Sequence, residues 1–138
     1  PRYGDAISLY KGAAYRGMVM TPGEMEELLP NWRELPANKP VTINYTFKPW
    51  RNQSVSSWTP SLESAQNFTK IRTGADVNPN IARKEGYVGI IFYAASVDNN
   101  VFFDIRRLYD WKGFEGYRHE NEVVGFGPIQ VEKVVIFK

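Results

Sequence analysis

Ten residues in the second half of the chain, Tyr87–Ser96 (YVGIIFYAAS), set the tightest limit on what it can fold into. The run carries no charge, is too short to cross a membrane as a helix, and is rich in β-branched and aromatic side chains. It therefore reads as a buried central strand. Such a strand needs covering layers, and a chain of 138 residues has room for one domain and one real core. We read 1-138 as a single domain organised about that strand.

The surrounding pattern is mostly β. Ile7–Met20 (ISLYKGAAYRGMVM) reads as a strand region broken at Gly12 and Gly17, and Pro40–Trp50 (PVTINYTFKPW) alternates as a half-buried strand does. Val101–Ile105 and Ile129–Phe137 add two more strands. Thr21-Pro22-Gly23-Glu24 has the residues of a capping box with proline at the first helical position. Met25, Leu28, Leu29 and Trp32 then repeat at helical spacing, which predicts a helix ending near Pro36. In Gln53–Phe68 a hydroxyl-rich strand (Ser54, Ser56, Ser57, Thr59) feeds a second helix, with Thr59-Pro60 as its cap and Leu62, Ala65 and Phe68 as its stripe. Thr69–Gly86 and the ring-bearing Leu108–Tyr117 read as loops. Strands with two helices inserted early predict an α+β fold, a sandwich or split barrel.

Composition removes several chemistries. The chain has no Cys, so thiol catalysis, disulfides and Cys-ligated zinc are excluded. Its one histidine, His119, cannot make a two-His metal centre. A net charge of +2 is too small to argue for nucleic-acid or membrane binding, yet would not repel an anionic ligand. No metal, membrane or direct nucleic-acid partner is expected. The chain opens at Pro1, which suits a trimmed initiator Met or a domain cut from something longer.

Three places carry chemistry. Tyr117–Phe126 (YRHENEVVGF) leads into a strand with Glu120 and Glu122 two residues apart, hence on one face. Like charges that close raise each other's pKa unless a cation or a donor answers them. Arg16 stands between Tyr15 and Gly17, where the glycine permits close approach and a guanidinium offers a fork for phosphate. Ser57 lies on the hydroxyl-rich strand, where it could hold a polar ligand or orient an acid. Each has a bland alternative: a solvated strand edge, a surface arginine, a Ser-rich turn.

Together, Tyr15-Arg16-Gly17, then Ser57-Trp58-Thr59 with Ala65 and Phe68 downstream, then Glu120-Asn121-Glu122, resemble the R-S-E triad of ADP-ribosyltransferases. More narrowly they are similar to the arginine-specific mono-ADP-ribosyltransferases related to bacterial toxins and phage transferases. The likeness runs from about Leu9 to the C-terminus, with the motifs in the family's order. Where the family has Ser-Thr-Ser this chain has Ser-Trp-Thr, and the helical accessory domain of some relatives has no room.

The resemblance implies a split β-sandwich of two sheets and a transfer of ADP-ribose from NAD to a protein arginine, in the cytoplasm of a target or host cell. NAD, as co-substrate, would contact Tyr15, Arg16, Gly17, Ser57, Trp58, Phe68 and Glu122, with its diphosphate at Arg16. Ser57 would orient Glu122, Glu122 would stabilise charge on the ribose, and Glu120 would align or deprotonate the acceptor. The aromatic stretch Trp111–Tyr117 would face the target protein. Two other readings stand beside this one. The first is an NAD glycohydrolase with water as acceptor. The second is a non-catalytic module in which Lys48, Trp50 and Arg51 meet protein or nucleic acid.

Overall fold

The computed structural model describes residues 8–49, 54–69, 86–95, 100–106 and 122–137. Its strands are β1 (Ser8–Tyr10), β2 (Ala13–Met20), β3 (Val41–Phe47), β4 (Val55–Trp58), β5 (Val88–Ala95), β6 (Val101–Asp104), β7 (Val123–Phe126) and β8 (Ile129–Phe137). They form two four-stranded sheets. Sheet I has the order β2-β5-β8-β3 and sheet II the order β1-β6-β7-β4, and every pairing is antiparallel. With two short helices, α1 (Pro22–Leu28) and α2 (Leu62–Phe68), the fold is α+β, as the sequence pattern predicts.

The apolar run becomes β5, an inner strand of sheet I between β2 and β8. Ile90, Phe92 and Ala94 on one face join the core, and Ile91 on the other is buried as well. That is why the run shows no polar alternation. Rings pack within and between the two sheets, with Trp58 of sheet II and Phe47 of sheet I making the crossing contact. Trp58 meets Phe47 edge-on at 5.6 Å and Phe102 at 5.7 Å, and Phe92 stacks on Tyr45 at 5.8 Å. Such pairs add about 0.5–1.5 kcal/mol each beyond the area they bury.

α1 starts as expected. Thr21 Oγ1 accepts from the Glu24 N–H at 3.2 Å, and Glu24 Oε1 accepts from the Thr21 N–H at 3.0 Å. It stops at Leu28, short of the predicted end near Pro36, because Pro30 drives Leu29 out of helical backbone, to φ −138° and ψ 88°. Trp32 is buried from a separate 3-10 turn, Trp32–Glu34.

The cap of α2 also differs from expectation. Ser61, not Thr59, accepts from the Ser64 N–H at 3.2 Å, because the main chain of Thr59 is engaged with Tyr15 and stays extended. Gly17 does not break its strand but lies inside β2. A Cβ there would sit 1.9 Å from the Ala65 carbonyl oxygen, so the missing side chain is what lets α2 rest on the sheet.

Two features fix the frame. Asn100 donates to the Ala95 and Gln130 carbonyls at 2.9 and 3.0 Å and accepts from the Gln130 N–H at 2.7 Å, joining the end of β5 to β8. Gly127, at φ 70°, turns the chain from β7 in sheet II into β8 in sheet I and donates its N–H to Ser54 at 2.7 Å. Among the described residues no helix is long and apolar enough to cross a membrane.

Candidate functional site

The two sheets touch along one seam. Tyr15 of β2 and Thr59, just past β4, exchange main-chain hydrogen bonds at 2.7 and 2.8 Å, as an isolated bridge with no ladder on either side. From there the strands diverge. Arg16 is the next residue along β2, and alternation turns it to the same side as Ala14, Met18 and Met20, toward the shared core.

Its guanidinium lies in the angle between the sheets. One amino group donates to the Ser57 carbonyl at 2.6 Å, and Cζ stands 5.0 Å from the centre of the Phe47 ring. Nε is buried and meets no hydrogen-bond partner among the described residues. Burial lowers the Arg16 pKa from its usual value, and the charge of Glu122 works in the other direction. Arg16 is thus half-buried with one donor, Nε, that no described residue satisfies, a costly arrangement.

Ser57 and Glu122 reach this place along sheet II. Ser57 is opposite Val124 in the β4–β7 ladder, and Glu122 comes immediately before β7. With residues two apart sharing a face, Glu122, Val124 and Ser57 belong to the outer face of the sheet. Ser57 is exposed there and Glu122 half-buried. The structure thus brings Arg16 to the main chain of Ser57 at the seam and within reach of the charge of Glu122, while the Ser57 and Glu122 side chains lie on the outer face of sheet II. Glu120, Trp111–Tyr117, Trp50 and Arg51 lie outside the described residues.

The other expected ligand contacts do not gather here. Trp58 is a correction: at 2 % exposure it belongs to the core, and its indole N–H donates to Ser56 Oγ at 2.7 Å. Inward alternation on β4 and the packing of Phe47 and Phe102 leave it no ligand surface. Tyr15 and Gly17 are on the face of β2 opposite Arg16. Tyr15 packs edge-on against Tyr93 at 5.0 Å, and Gly17 lies under α2. Phe68 ends α2 on that same side, 41 % exposed. Phe47, the ring under Arg16, was not anticipated. Alternation through Val41, Ile43, Tyr45 and Phe47 gives it a core face, and nothing in the local pattern says that a guanidinium from the other edge of the sheet will lie over it.

Among the described residues no group of three or more His, Cys, Asp or Glu could hold a metal ion. The chain matches no family model, no curated protein and no solved structure.

Proposed function

We propose that the protein is a mono-ADP-ribosyltransferase of the R-S-E kind, built on the split β-sandwich of that family. It would transfer ADP-ribose from NAD to a protein arginine, release nicotinamide, and act in the cytoplasm of a target or host cell. The observation that carries this reading is the Arg16 guanidinium, held on the Ser57 carbonyl with its Nε buried and unpartnered among the described residues. An anion entering the seam would satisfy that donor, and the fork suits the oxygens of a diphosphate. Of the residues expected to hold NAD, Arg16, Ser57 and Glu122 fit the group; Trp58 does not.

NAD supplies a glycosidic bond whose cleavage leaves positive charge on the ribose. Glu122, whose field already reaches Arg16, would offset that charge. The exposed Ser57 hydroxyl would hold the Glu122 carboxylate in one orientation. Glu120 would take the proton that leaves the acceptor as its nitrogen bonds to the ribose.

The test mixes protein, NAD and agmatine, a small guanidine, and follows nicotinamide and ADP-ribosyl-agmatine by chromatography. Wild type should yield both products, and Glu122→Gln neither. Nicotinamide with free ADP-ribose as the sole second product points to the glycohydrolase. A folded wild type that releases no nicotinamide ends the enzyme reading.

A further inference from the structure

Sheet II buries one face, which supplies Phe102, Val123 and Trp58 to the core. An antiparallel sheet with a solvated outer face alternates to polar side chains there; here Ser57 and Glu122 do so at one end, and the rest of two rows is apolar. One row across the outer face, in register, is Leu9, Phe103, Val124 and Ser57. The row beside it is Val101, Phe126 and Val55. Leu9 is 59 % exposed, Phe126 53 %, Val55 44 % and Val101 37 %. Phe103 and Phe126 pack edge-on at 6.4 Å, which joins the rows into one patch. Neither row holds a charged residue. Contiguous exposed apolar surface of this kind marks an interaction site.

The position of Ser57 identifies the occupant. It closes the first row, opposite Val124, and Glu122 stands on the same side two residues before Val124. A second copy seated permanently on this face would cover the hydroxyl and the carboxylate the reaction needs. A protein that binds, reacts and leaves meets both demands, and one bearing an acceptor arginine must approach this face to reach Glu122. We infer that the outer face of sheet II docks the protein substrate through an apolar segment flanking its acceptor arginine; this rests on the transferase reading. With no charge in either row, recognition of that segment should be insensitive to salt.

Two synthetic peptides test it, each with one arginine, flanked in one by Leu, Val and Phe and in the other by Ser and Gly. Agmatine serves as the acceptor without flanks. Wild type should show a KM about tenfold or more lower for the apolar-flanked peptide, the size expected for burying an apolar side chain. The double variant Val101→Thr/Phe126→Thr should erase that preference, at unchanged agmatine turnover. Leu9→Thr, on the edge strand, should narrow it and carries the test if the double variant does not fold. Equal KM values in wild type, or a preference that survives both variants, overturns the docking surface and leaves the transferase standing. A wild-type dimer that the double variant dissociates in the ultracentrifuge assigns the face to a second copy and overturns it too. No nicotinamide release with agmatine removes the transferase reading, and the docking surface with it.

Discussion

Tyr15 and Thr59 exchange both of their main-chain hydrogen bonds, at 2.7 and 2.8 Å, and through that bridge β2 of one sheet meets the end of β4 in the other. A continuous ladder would have closed the sheets against each other. One paired residue followed by divergence opens an angle at the next position, and Arg16 occupies it. The seam follows from main-chain pairing, and the cation in it from alternation along β2.

Arg16→Ala should cost the fold about 1 kcal/mol. The bond to the Ser57 carbonyl and the Phe47 contact disappear, but a partly desolvated cation disappears with them. Affinity for NAD should fall at least tenfold. Arg16→Lys, which keeps the charge without the fork, should fall between. Urea unfolding and calorimetry together read both effects. Undiminished NAD binding in folded Arg16→Ala would take Arg16 out of the site.

In the proposed mechanism the charge at Glu122 would serve transfer and hydrolysis alike, since ribose charge develops whichever acceptor attacks. Glu122→Gln should reduce both by about 10²–10⁴-fold. Glu120→Gln should abolish transfer to arginine and leave much of the slow hydrolysis. Ser57→Ala should be milder than Glu122→Gln, because one neutral hydrogen bond contributes about 0.5–1.5 kcal/mol. The readout is nicotinamide release beside acceptor labelling, with circular dichroism for folding. Equal loss of hydrolysis in the two glutamate variants would falsify the division of labour.

Gly17→Ala should be more damaging to stability than Arg16→Ala, although Arg16 is the residue proposed to hold the diphosphate. The new methyl would sit 1.9 Å from the Ala65 carbonyl oxygen and 2.8 Å from its carbon, both backbone atoms. α2 would have to lift off β2, at about 3 kcal/mol or more. A thermal melt within a degree or two of wild type would mean that α2 does not rest where Gly17 admits it.

Stability should fall at alkaline pH. Tyr10, Tyr45 and Tyr93 have pKa values raised above 10.0, each mainly by burial, with Arg106 working against the rise at Tyr10. The fold prefers these phenols neutral. Their contribution is therefore whole below the unfolded value of 10.0 and is lost as pH climbs through the higher folded values. Urea midpoints should hold up to that region and then drop, less steeply in Tyr45→Phe. Identical slopes in the two proteins would show that Tyr45 ionises as freely folded as unfolded.

Where the physics is local, the strand pattern was legible in the sequence. Ile129–Phe137 is β8 to the residue, and Tyr87–Ser96 is β5 with one residue fewer at each end. The capping box at Thr21 needs only three neighbours to form, and it forms. Period-two alternation tells inside from outside but not which sheet a strand joins, so the seam at Tyr15 and Thr59 was invisible. The same holds for the acceptor of Arg16, a backbone carbonyl 41 positions away, which every residue type possesses. Trp58 was set against NAD by its place in the Ser57-Trp58-Thr59 motif, whereas in the fold it is buried and Ser56 satisfies its indole. Arg16, Ser57 and Glu122 were legible as residue types in order; that Arg16 reaches the main chain of Ser57 came from the seam.

The corner at Gly127 has a mechanical consequence. Through it β7 continues directly into β8, and β8 lies between β5 and β3 with ladders along both sides. A pull on the end at Phe137 must shear both ladders together instead of peeling one strand from an edge. Glu122 is attached to that strand by one short segment and one bend, so its position is referenced to the part of the molecule hardest to draw out. A load that would strip an edge strand such as β1 would leave this carboxylate where it is.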